Sequence, residues 1–297
     1  MTVVASIDIG TNSTRLLIAS KDGANLNPLR MEERITRLGE GLGQLGYLKP
    51  ESLDRVTDAL TEYMGYIKAC GTERVFIVAT SAAREASNKE MLQKRVKEAT
   101  GHDCRIISGQ EEAELTFLGV MSDICAISKA LICDIGGGST EFIFTENGIL
   151  SKEISLPIGS RRLKERFLYR NPVCNEEMQA FTIHTEAILH QHLFSGNEVQ
   201  CVMVGGTATT LAMIDCSLSA FDENTVHGYV LQHSAVINIV QKLASLSLEE
   251  RKHLVGFHPK RADVIVAGAM ITEIILRFFK LSSCQISIRD LLFGLLA

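Results

Sequence analysis

Two glycine-rich stretches contain the residues whose types and spacing best suit phosphate chemistry. The first reads IDIGTNS over residues 7–13, and the second reads CDIGGGS over residues 133–139. In each, an Asp ends an apolar segment, and a turn with glycines and hydroxyl side chains follows. Glycines let backbone N–H groups approach an anion, hydroxyls add donors, and the Asp is placed to hold a metal ion or its water shell. One such turn is weak evidence, but two with matching neighbours predict a pair of phosphate-binding turns.

Glu112, at the start of a predicted helix, is the candidate catalytic residue. Ser108 and Glu111 have the spacing of a capping box, so Glu111 is interpreted as structural. Glu112 is not used by that box, and its carboxylate could accept a proton from a water that attacks phosphorus. The alternative is that Glu112 only complements the helix dipole.

Two arginines and a serine are further candidates for binding phosphoryl oxygens. Arg15 follows Ser13 by two residues in a predicted strand, so both side chains are expected on one face. Ser81 and Arg84 follow a buried strand, where ligand-binding groups of open α/β sheets tend to lie. The planar fork of arginine suits phosphoryl oxygens. The alternative for each arginine is an ion pair at the surface.

Two other stretches have both a functional and a structural interpretation. The sequence GGTATT over residues 205–210 enters a helix, so Gly206 and Thr207 would lie in another anion-binding turn. The alternative there is close packing of strand against helix. The basic run RRLKER over residues 161–166 is typical of a solvated helix face, and the alternative is a positive surface that guides a long polyanion.

The elements expected to position these residues occur in the same order in both halves of the chain. Apolar runs predict strands at 3–8, 14–20, 29–35, 74–80, 105–107, 131–134, 141–145, 150–156, 200–204 and 284–288. Helical spacing predicts helices at 51–70, 88–100 (capped by Asn88), from 110, and at 175–194, 232–245, 249–254, 260–279 and up to 296. The first of these helices has Leu53, Val56, Leu60, Met64 and Ile67 on one face.

The repeated order of elements indicates a duplicated unit. Asp8 and Asp134 are 126 residues apart, and the hairpin glycines Gly23 and Gly148 are 125 apart. This layout predicts an α/β fold of two ribonuclease-H-like domains of the actin-like, hexokinase-like class, facing each other across a cleft. We expect the domains at 1–120 and 121–297, with the final helix able to pack back on the first.

The composition is that of a globular protein and excludes several functional classes. The chain has 297 residues, 46% hydrophobic and 22% charged, with a formal net charge of −5. That charge argues against non-specific binding to nucleic acid. The longest apolar run is too short and too interrupted to span a bilayer, and the N-terminus has no export signal, so a cytoplasmic location is expected. The eight cysteines have no C-x-x-C pair and are interpreted as scattered thiols.

Seven motifs in order resemble those of the exopolyphosphatase and guanosine pentaphosphate phosphohydrolase (Ppx/GppA) family. They are DIGTNSTRL at 8–16, ATSAAR at 79–84, ISGQEEA at 107–113, DIGGGSTE at 134–141, SLPIGS at 155–160, GGTATTL at 205–211 and RADVIVAG at 261–268. They cover almost the whole chain, and seven ordered motifs are far more specific than any one of them.

The resemblance implies a hydrolase of phosphoric anhydrides that removes the terminal phosphate from inorganic polyphosphate or guanosine pentaphosphate, with Glu112 as general base. Metal binding, by Mg²⁺ or Mn²⁺, is implied for Asp134 and Glu141, with Asp8 as a water-mediated partner. Together with the candidates above, the expected phosphate-binding residues are Asp8, Thr11, Asn12, Ser13, Arg15, Ser81, Arg84, Gly136, Gly137, Gly138, Ser139, Thr140, Gly206 and Thr207.

The sequence departs from the family in two ways. The family pattern near the end is S-x-x-G-L-R-x-G, whereas residues 287–294 read SIRDLLFG. Asp290 and Leu292 therefore replace the expected Gly and Arg, although Arg289 lies nearby. Longer family members also have a C-terminal helical domain beyond the point where this sequence stops. This departure makes processive degradation of long polymers less expected and short phosphate chains or a nucleotide more expected, while the preferred chain length stays open.

Two other functions remain open from the sequence. A small-molecule kinase of the same fold would use the same two turns on ATP, with an Asp activating a substrate hydroxyl. A non-catalytic sensor would bind guanosine tetraphosphate or pentaphosphate without turnover. Neither nucleic acid nor membrane is expected as a partner, and a homodimer is one oligomeric state to test.

Overall fold

Two mixed β-sheets with helices form the protein, which is therefore α/β as predicted. The structure is a computed structural model that describes residues 1–23, 25–123, 129–194, 199–254 and 259–297. The chain divides into two compact units. The first unit comprises residues 1–125 and 289–297, and the second comprises residues 126–288.

The secondary-structure elements follow the predicted order with a few additions. The strands are β1 (Thr2–Ile9), β2 (Thr14–Asp22), β3 (Asn25–Arg34), β4 (Arg74–Ala79), β5 (Cys104–Ile106), β6 (Lys129–Ile135), β7 (Thr140–Glu146), β8 (Ile149–Leu156), β9 (Gln200–Val204), β10 (Val230–Gln232) and β11 (Ser283–Ile286). The helices are α1 (Leu42–Leu45), α2 (Pro50–Ala69), α3 (Ser81–Glu85), α4 (Lys89–Thr100), α5 (Gly109–Met121), α6 (Ser160–Phe167), α7 (Asn175–His192), α8 (Gly205–Asp215), α9 (Glu223–Val226), α10 (His233–Ser245), α11 (Leu248–Lys252), α12 (Ile265–Phe278) and α13 (Leu291–Gly294).

The sheet of the first unit has the strand order β3-β2-β1-β4-β5. The first three strands pair antiparallel as consecutive hairpins, and β4 and β5 continue the sheet in parallel with β1. Because β1 is central, six consecutive residues at its carboxyl end are buried. This arrangement of three antiparallel strands followed by two parallel ones is that of ribonuclease-H-like domains.

The sheet of the second unit repeats this order and adds one strand. Its order is β10-β11-β9-β6-β7-β8, with β6, β7 and β8 antiparallel and β9 and β11 parallel to β6. The additional strand β10 pairs antiparallel with β11 at the edge. The predicted duplication is therefore present in the topology of both sheets.

Helix α2 packs on the first sheet through a largely predicted apolar face. Leu53, Val56 and Leu60 are buried, as expected for residues three or four apart on one face. Met64 is only partly buried, whereas the neighbouring Tyr63 is fully buried. The buried Tyr63 hydroxyl is satisfied by a hydrogen bond of 2.8 Å that it donates to the carbonyl oxygen of Thr14. This bond ties the helix to the first residue of β2, next to the glycine-rich turn.

The last nine residues of the chain belong to the first unit. Helix α13 packs against α5 so closely that a Cβ at Gly119 would collide with the carbonyl oxygen of Asp290. In the same way, a Cβ at Gly294 would collide with the carbonyl oxygen of Leu115. Phe293 is fully buried in a small cluster with side chains of β1 and β2. Glycine at these two positions therefore lets the terminal segment reach the first sheet.

The second unit is built around α12, which confirms the prediction of a buried helix in this region. Twelve of its fourteen residues are buried, and ten of them belong to the hydrophobic core that also includes Phe142 of β7 and Met203 of β9. Among the described residues, no helix is both long enough and apolar enough to cross a membrane.

Three local predictions are wrong in detail. The amide of Asn88 does not cap α4 but exchanges hydrogen bonds with the backbone N–H and carbonyl of Leu48. Arg161 is not on a solvated face, because its guanidinium is buried and paired with Asp263 at 3.1 Å. The strand predicted at 284–288 ends at Ile286, and the elements α1, α3, α9 and β10 were not predicted.

The cysteines of the described ranges are free thiols. Cys104, Cys133, Cys201 and Cys284 are buried, whereas Cys70, Cys174 and Cys216 are partly exposed. Burial raises the pKa of Cys104 to about 12. The eighth cysteine, Cys125, lies outside the described residues.

Candidate functional site

The glycine-rich turn of the first unit is a tight loop between β1 and β2. The N–H of Gly10 donates to the carbonyl oxygen of Ser13 at 2.9 Å, which closes the turn. The backbone carbonyl of Thr11 accepts a hydrogen bond of 2.9 Å from the N–H of Gly39. The carbonyl of Asn12 accepts one of the same length from the N–H of Arg37. Thr11 and Asn12 are both buried, so the loop is held in place from outside as well as within.

Asp8 and Arg15 lie directly opposite each other across β1 and β2. The Nη2 and Nε atoms of Arg15 donate to Oδ2 of Asp8 at 2.6 Å and 3.1 Å. The Nη1 atom donates to Oδ2 of Asp290, which precedes α13. Arg15 therefore lies between two buried carboxylates, one from the adjacent strand and one from the end of the chain.

Two buried polar atoms in this turn have no hydrogen-bond partner within the protein. They are Oδ1 of Asp8 and Oγ1 of Thr11. Burial raises the pKa of Asp8, with a smaller raising effect from Asp290, while the charge and hydrogen bonds of Arg15 oppose the rise. A carboxylate oxygen and a hydroxyl in this position are suited to bind a ligand or its water shell.

Arg84 and Glu112 form a second ion pair in the first unit. Glu112 lies in the first turn of α5 and is only 8% exposed. Its Oε2 accepts a hydrogen bond of 2.6 Å from Nη1 of Arg84, which also donates to the carbonyl oxygen of Ile107 at 3.0 Å. The Arg84 side chain is thus anchored at the end of β5, and it orients the Glu112 carboxylate.

The polar side chains at the N-termini of α5 and α3 form local hydrogen bonds and ion pairs. The hydroxyl of Ser108 accepts the N–H of Glu111 at 3.0 Å, which is the serine half of the predicted capping box. Glu111 itself pairs with Arg105 at the surface at 2.9 Å. Ser81 is buried, and its hydroxyl donates to Glu85 one turn later in α3 at 3.0 Å.

The second unit repeats the turn but changes the partner of its Asp. Gly136 N–H donates to the carbonyl oxygen of Ser139 at 3.0 Å, as in the first unit. Across β6 and β7, Asp134 lies opposite Glu141, at the position that Arg15 has in the first unit. Oε1 of Glu141 accepts the hydroxyls of Ser139 at 2.8 Å and Ser155 at 2.7 Å. Two buried carboxylates therefore lie side by side here.

The remaining glycine-rich candidates lie near this turn. A Cβ at Gly205, which has a positive φ of 83°, would approach Oδ1 of Asp134, so glycine lets the carboxylate lie over the start of α8. A Cβ at Gly206 would collide with the guanidinium of Arg261. The hydroxyl of Thr207 donates to the carbonyl oxygen of Ile135 at 3.3 Å.

Several predicted hydroxyl donors are already engaged within the protein. The fully buried Thr140 donates to the carbonyl oxygen of Ile158, and Gly137 and Gly138 accept hydrogen bonds through their carbonyls from α6. Ser13 and Gly136 are partly exposed. In the turn of the second unit, the partly exposed backbone at Gly137 is thus better placed to bind an anion than the side chain of Thr140.

The sequence did not reveal two charged side chains that belong to these clusters. Asp290 was noted only as a departure from a pattern, and Arg261 only as the first letter of a motif. Each is brought to its turn by an element far along the chain, so spacing alone contained no signal for its partner. Within the described residues, no group of three or more His, Cys, Asp or Glu side chains is arranged to hold a metal ion.

Comparison with known proteins gives consistent matches over the whole length. A statistical model of the Ppx/GppA phosphatase family matches residues 17–296. Exopolyphosphatase 2 of Mycobacterium tuberculosis is 33% identical over 99% of this chain and 98% of its own. Guanosine-5'-triphosphate,3'-diphosphate pyrophosphatase of Vibrio atlanticus is 27% identical over 95% of this chain and 56% of its own.

A solved structure agrees with these matches. The crystal structure of the Aquifex aeolicus member of the Ppx/GppA family superimposes with a TM-score of 0.83 at 33% identity, covering 99% of this chain and 96% of the other. The resemblance drawn from the seven motifs is therefore confirmed. The named relatives act on phosphoric anhydrides, which agrees with the predicted class of enzyme.

Proposed function

The chain belongs to the Ppx/GppA phosphatase family, and on this premise we propose that it releases the terminal phosphate of inorganic polyphosphate, of guanosine pentaphosphate, or of both. The observation that carries the proposal is the pairing of Glu112 with Arg84 at 2.6 Å. It combines a buried carboxylate with a cation that holds it in one orientation. A general base requires this control of position before anything else.

We assign the phosphate-binding role to the glycine-rich turns of both units. Their glycines and N–H groups suit phosphoryl oxygens, and Arg15 and Arg84 supply positive charge in the first unit. Phosphoryl transfer has a loose transition state, so positioning and charge neutralisation contribute more than covalent chemistry does.

In the proposed reaction, Glu112 accepts a proton from a water molecule as that water attacks the terminal phosphorus. The hydrogen bond from Arg84 to Oε2 holds the carboxylate of Glu112 in one orientation, and this carboxylate is the candidate proton acceptor. The bond between phosphorus and the bridging oxygen then breaks, and the shortened chain departs. The proton on Glu112 is returned to solvent or to a leaving phosphate oxygen.

The donor atoms fit a hard divalent cation. The carboxylates of Asp134 and Glu141 lie side by side in the second unit. Mg²⁺ is usually held by one or two carboxylates together with water and substrate phosphates, so a larger acidic cluster is not required. We propose that Asp134 and Glu141 hold Mg²⁺ or Mn²⁺, which would neutralise charge on the phosphates.

Phosphate release from substrates of defined length tests this function. Wild-type protein, Glu112→Gln and Glu111→Gln are compared on tripolyphosphate, longer polyphosphates and guanosine pentaphosphate with Mg²⁺. We expect Glu112→Gln to lower kcat by roughly a hundredfold or more with little change in KM. Glu111→Gln is the matched control, because it removes the same charge one residue away, from a pair at the surface.

The outcomes separate the competing functions. Full activity in Glu112→Gln would exclude Glu112 as the base. Tight nucleotide binding by calorimetry, without phosphate release in Mg²⁺ or Mn²⁺, would identify a sensor. Transfer of phosphate from ATP to a small-molecule acceptor would identify a kinase.

A further inference from the structure

Asp290 connects the end of the chain to the phosphate-binding turn of the first unit. Its Oδ2 accepts a hydrogen bond from Nη1 of Arg15, while Asp8 accepts from the other side of the same guanidinium. Asp8 and Arg15 are neighbours in one hairpin, whereas Asp290 lies 275 residues from Arg15 in sequence. The contact therefore exists only because the terminal segment packs on the first sheet.

The position of Asp290 is closely determined by its surroundings. The residue is 5% exposed, and its Oδ1 accepts the N–H of Leu292 at 3.0 Å, which caps α13. Its backbone carbonyl lies against Gly119, with no room for a Cβ there. Because both the backbone and one carboxylate oxygen are held, the second oxygen has little freedom to move away from Arg15.

The charges around Arg15 decide how strongly it attracts an anion. The guanidinium of Arg15 donates to the carboxylates of Asp8 and Asp290, and Glu33 lies opposite Arg15 across β2 and β3. A phosphoryl oxygen that approaches Arg15 must share it with these carboxylates, and a negative neighbour weakens its attraction for another anion. Asp8 belongs to the turn itself, whereas Asp290 is added from outside it.

We propose that Asp290 is a positioning residue that holds Arg15 and limits the affinity of the first unit for phosphate chains. The proposal rests on the proposed function, in which Arg15 binds phosphoryl oxygens. Asp290 orients the guanidinium and at the same time lowers its effective charge. The enzyme then binds phosphate chains less tightly than the turn alone would allow, and a shortened product can leave more easily.

The variant Asp290→Asn separates charge from shape. An Asn keeps the volume, and its Oδ1 can still accept from Leu292, but the Nδ2 that replaces Oδ2 cannot accept from Arg15, so the negative charge and its hydrogen bond to the guanidinium are both removed. We expect it to tighten binding of a phosphate chain about three- to tenfold, the size of effect typical of one partly buried charge-assisted contact. Asp290→Ser tests the same point should the first variant fail to fold, since Ser is also a good N-cap.

Calorimetry with an imido-bridged triphosphate, whose P–N–P links resist hydrolysis, measures this affinity in the presence of Mg²⁺. The set comprises wild type, Asp290→Asn, Arg15→Gln and the double variant. Asp54→Asn is the matched control, because it removes one carboxylate of the same unit that is paired with an arginine, Arg95, at the surface. The thermal unfolding midpoint of each variant is measured in parallel.

The result expected is tighter binding in Asp290→Asn, a change of less than twofold in Asp54→Asn, and no effect of Asp290→Asn once Arg15 is Gln. Unchanged or weaker binding in a folded Asp290→Asn protein would overturn the proposal. An effect of Asp290→Asn that persists in the Arg15→Gln background would also overturn it. So would the absence of binding by both wild type and Asp290→Asn at millimolar ligand. If wild type releases no phosphate from any substrate but the affinity differences remain, the proposed function fails and the role of Asp290 stands.

Discussion

Arg84 and Glu112 are joined by a hydrogen bond of 2.6 Å across 28 residues of sequence. One comes from the short helix after β4, and the other from the first turn of α5. The pair is mostly buried, with side-chain exposures of 22% and 11%. The candidate base is thus positioned by a cation that the sequence suggested only as a phosphate-binding group.

Removing the cation should take an opposite charge and a hydrogen bond away from a buried carboxylate. We expect Arg84→Gln to lower the free energy of unfolding by about 1–3 kcal/mol, the usual cost of such a loss. The double variant Arg84→Gln, Glu112→Gln should recover part of that loss, because the buried carboxylate charge is removed as well. Urea unfolding of the four proteins measures the coupling, and strictly additive effects would contradict it.

The pKa of Asp8 predicts a pH-dependent stability difference. Because burial raises this pKa, the folded protein binds the proton of Asp8 more tightly than the unfolded chain does. The proton on Asp8 therefore stabilises the folded state. This stabilisation is full below about pH 4, the ordinary pKa range of aspartate, and is lost as pH rises through the raised pKa of the folded protein. The free energy of unfolding of wild type, relative to Asp8→Asn, should therefore fall between acidic and neutral pH in urea titrations. A flat or rising difference would count against this assignment, and Asp54→Asn corrects for loss of a carboxylate in general.

Glu141 should contribute to binding of the metal ion, and not only to the stability of the turn. We expect Glu141→Gln to raise the Mg²⁺ concentration needed for half-maximal phosphate release by about tenfold or more. Glu146→Gln on the same strand, which is paired with Lys129 at the surface, should leave this concentration unchanged. Binding of Mn²⁺ to the substrate-free protein, followed by electron paramagnetic resonance, provides a readout independent of turnover. Equal Mn²⁺ affinity in both variants would rule out Glu141 as a ligand.

Gly119 should be irreplaceable by alanine despite its position inside a helix. A Cβ there would collide with the backbone of Asp290, so we expect Gly119→Ala to destabilise the protein by about 1–3 kcal/mol. Gly65→Ala in α2 has open space around it and should be neutral or stabilising by about 0.5–1 kcal/mol. Thermal and urea unfolding distinguish the two, and similar behaviour of both would show that the terminal segment packs differently.

Cys104 should resist alkylation in the native protein. Burial raises its pKa to about 12, so the thiolate is scarce at pH 8, and access to the sulfur is also blocked. Cys70 and Cys216, which are partly exposed, should react with iodoacetamide first. Mass spectrometry of the modified peptides checks the order, and equal rates for Cys104 and Cys70 would contradict it. In urea all of these thiols should react alike.

Much of the fold was predictable because its signals are local. A backbone hydrogen bond from Gly10 to Ser13 closes the first turn, and one from Gly136 to Ser139 closes the second, so the sequence there contains nearly all the determinants. The strand and helix periods are equally local. Repetition of the order of elements then indicated the duplicated topology that both sheets have.

Errors arose where a side chain found a distant partner. Arg161 looks like part of a solvated run, but Asp263, 102 residues away, lets it be buried. Asn88 has the residue type and position of a helix cap, yet Leu48 offers both a donor and an acceptor that its amide satisfies together. Local propensity predicts what a residue can do, and tertiary contacts select one of those options.

The sequence by itself determined the two turns, the strands that present them and the family to which the chain belongs. Only the tertiary structure decided the charges that come from distant parts of the chain: Asp290 at Arg15 and Arg84 at Glu112. The physical reason is the separation in sequence between the interacting residues. Turn and strand formation depend on neighbours along the chain, whereas the free energy of a charged group depends on whichever charges folding brings within a few ångströms of it.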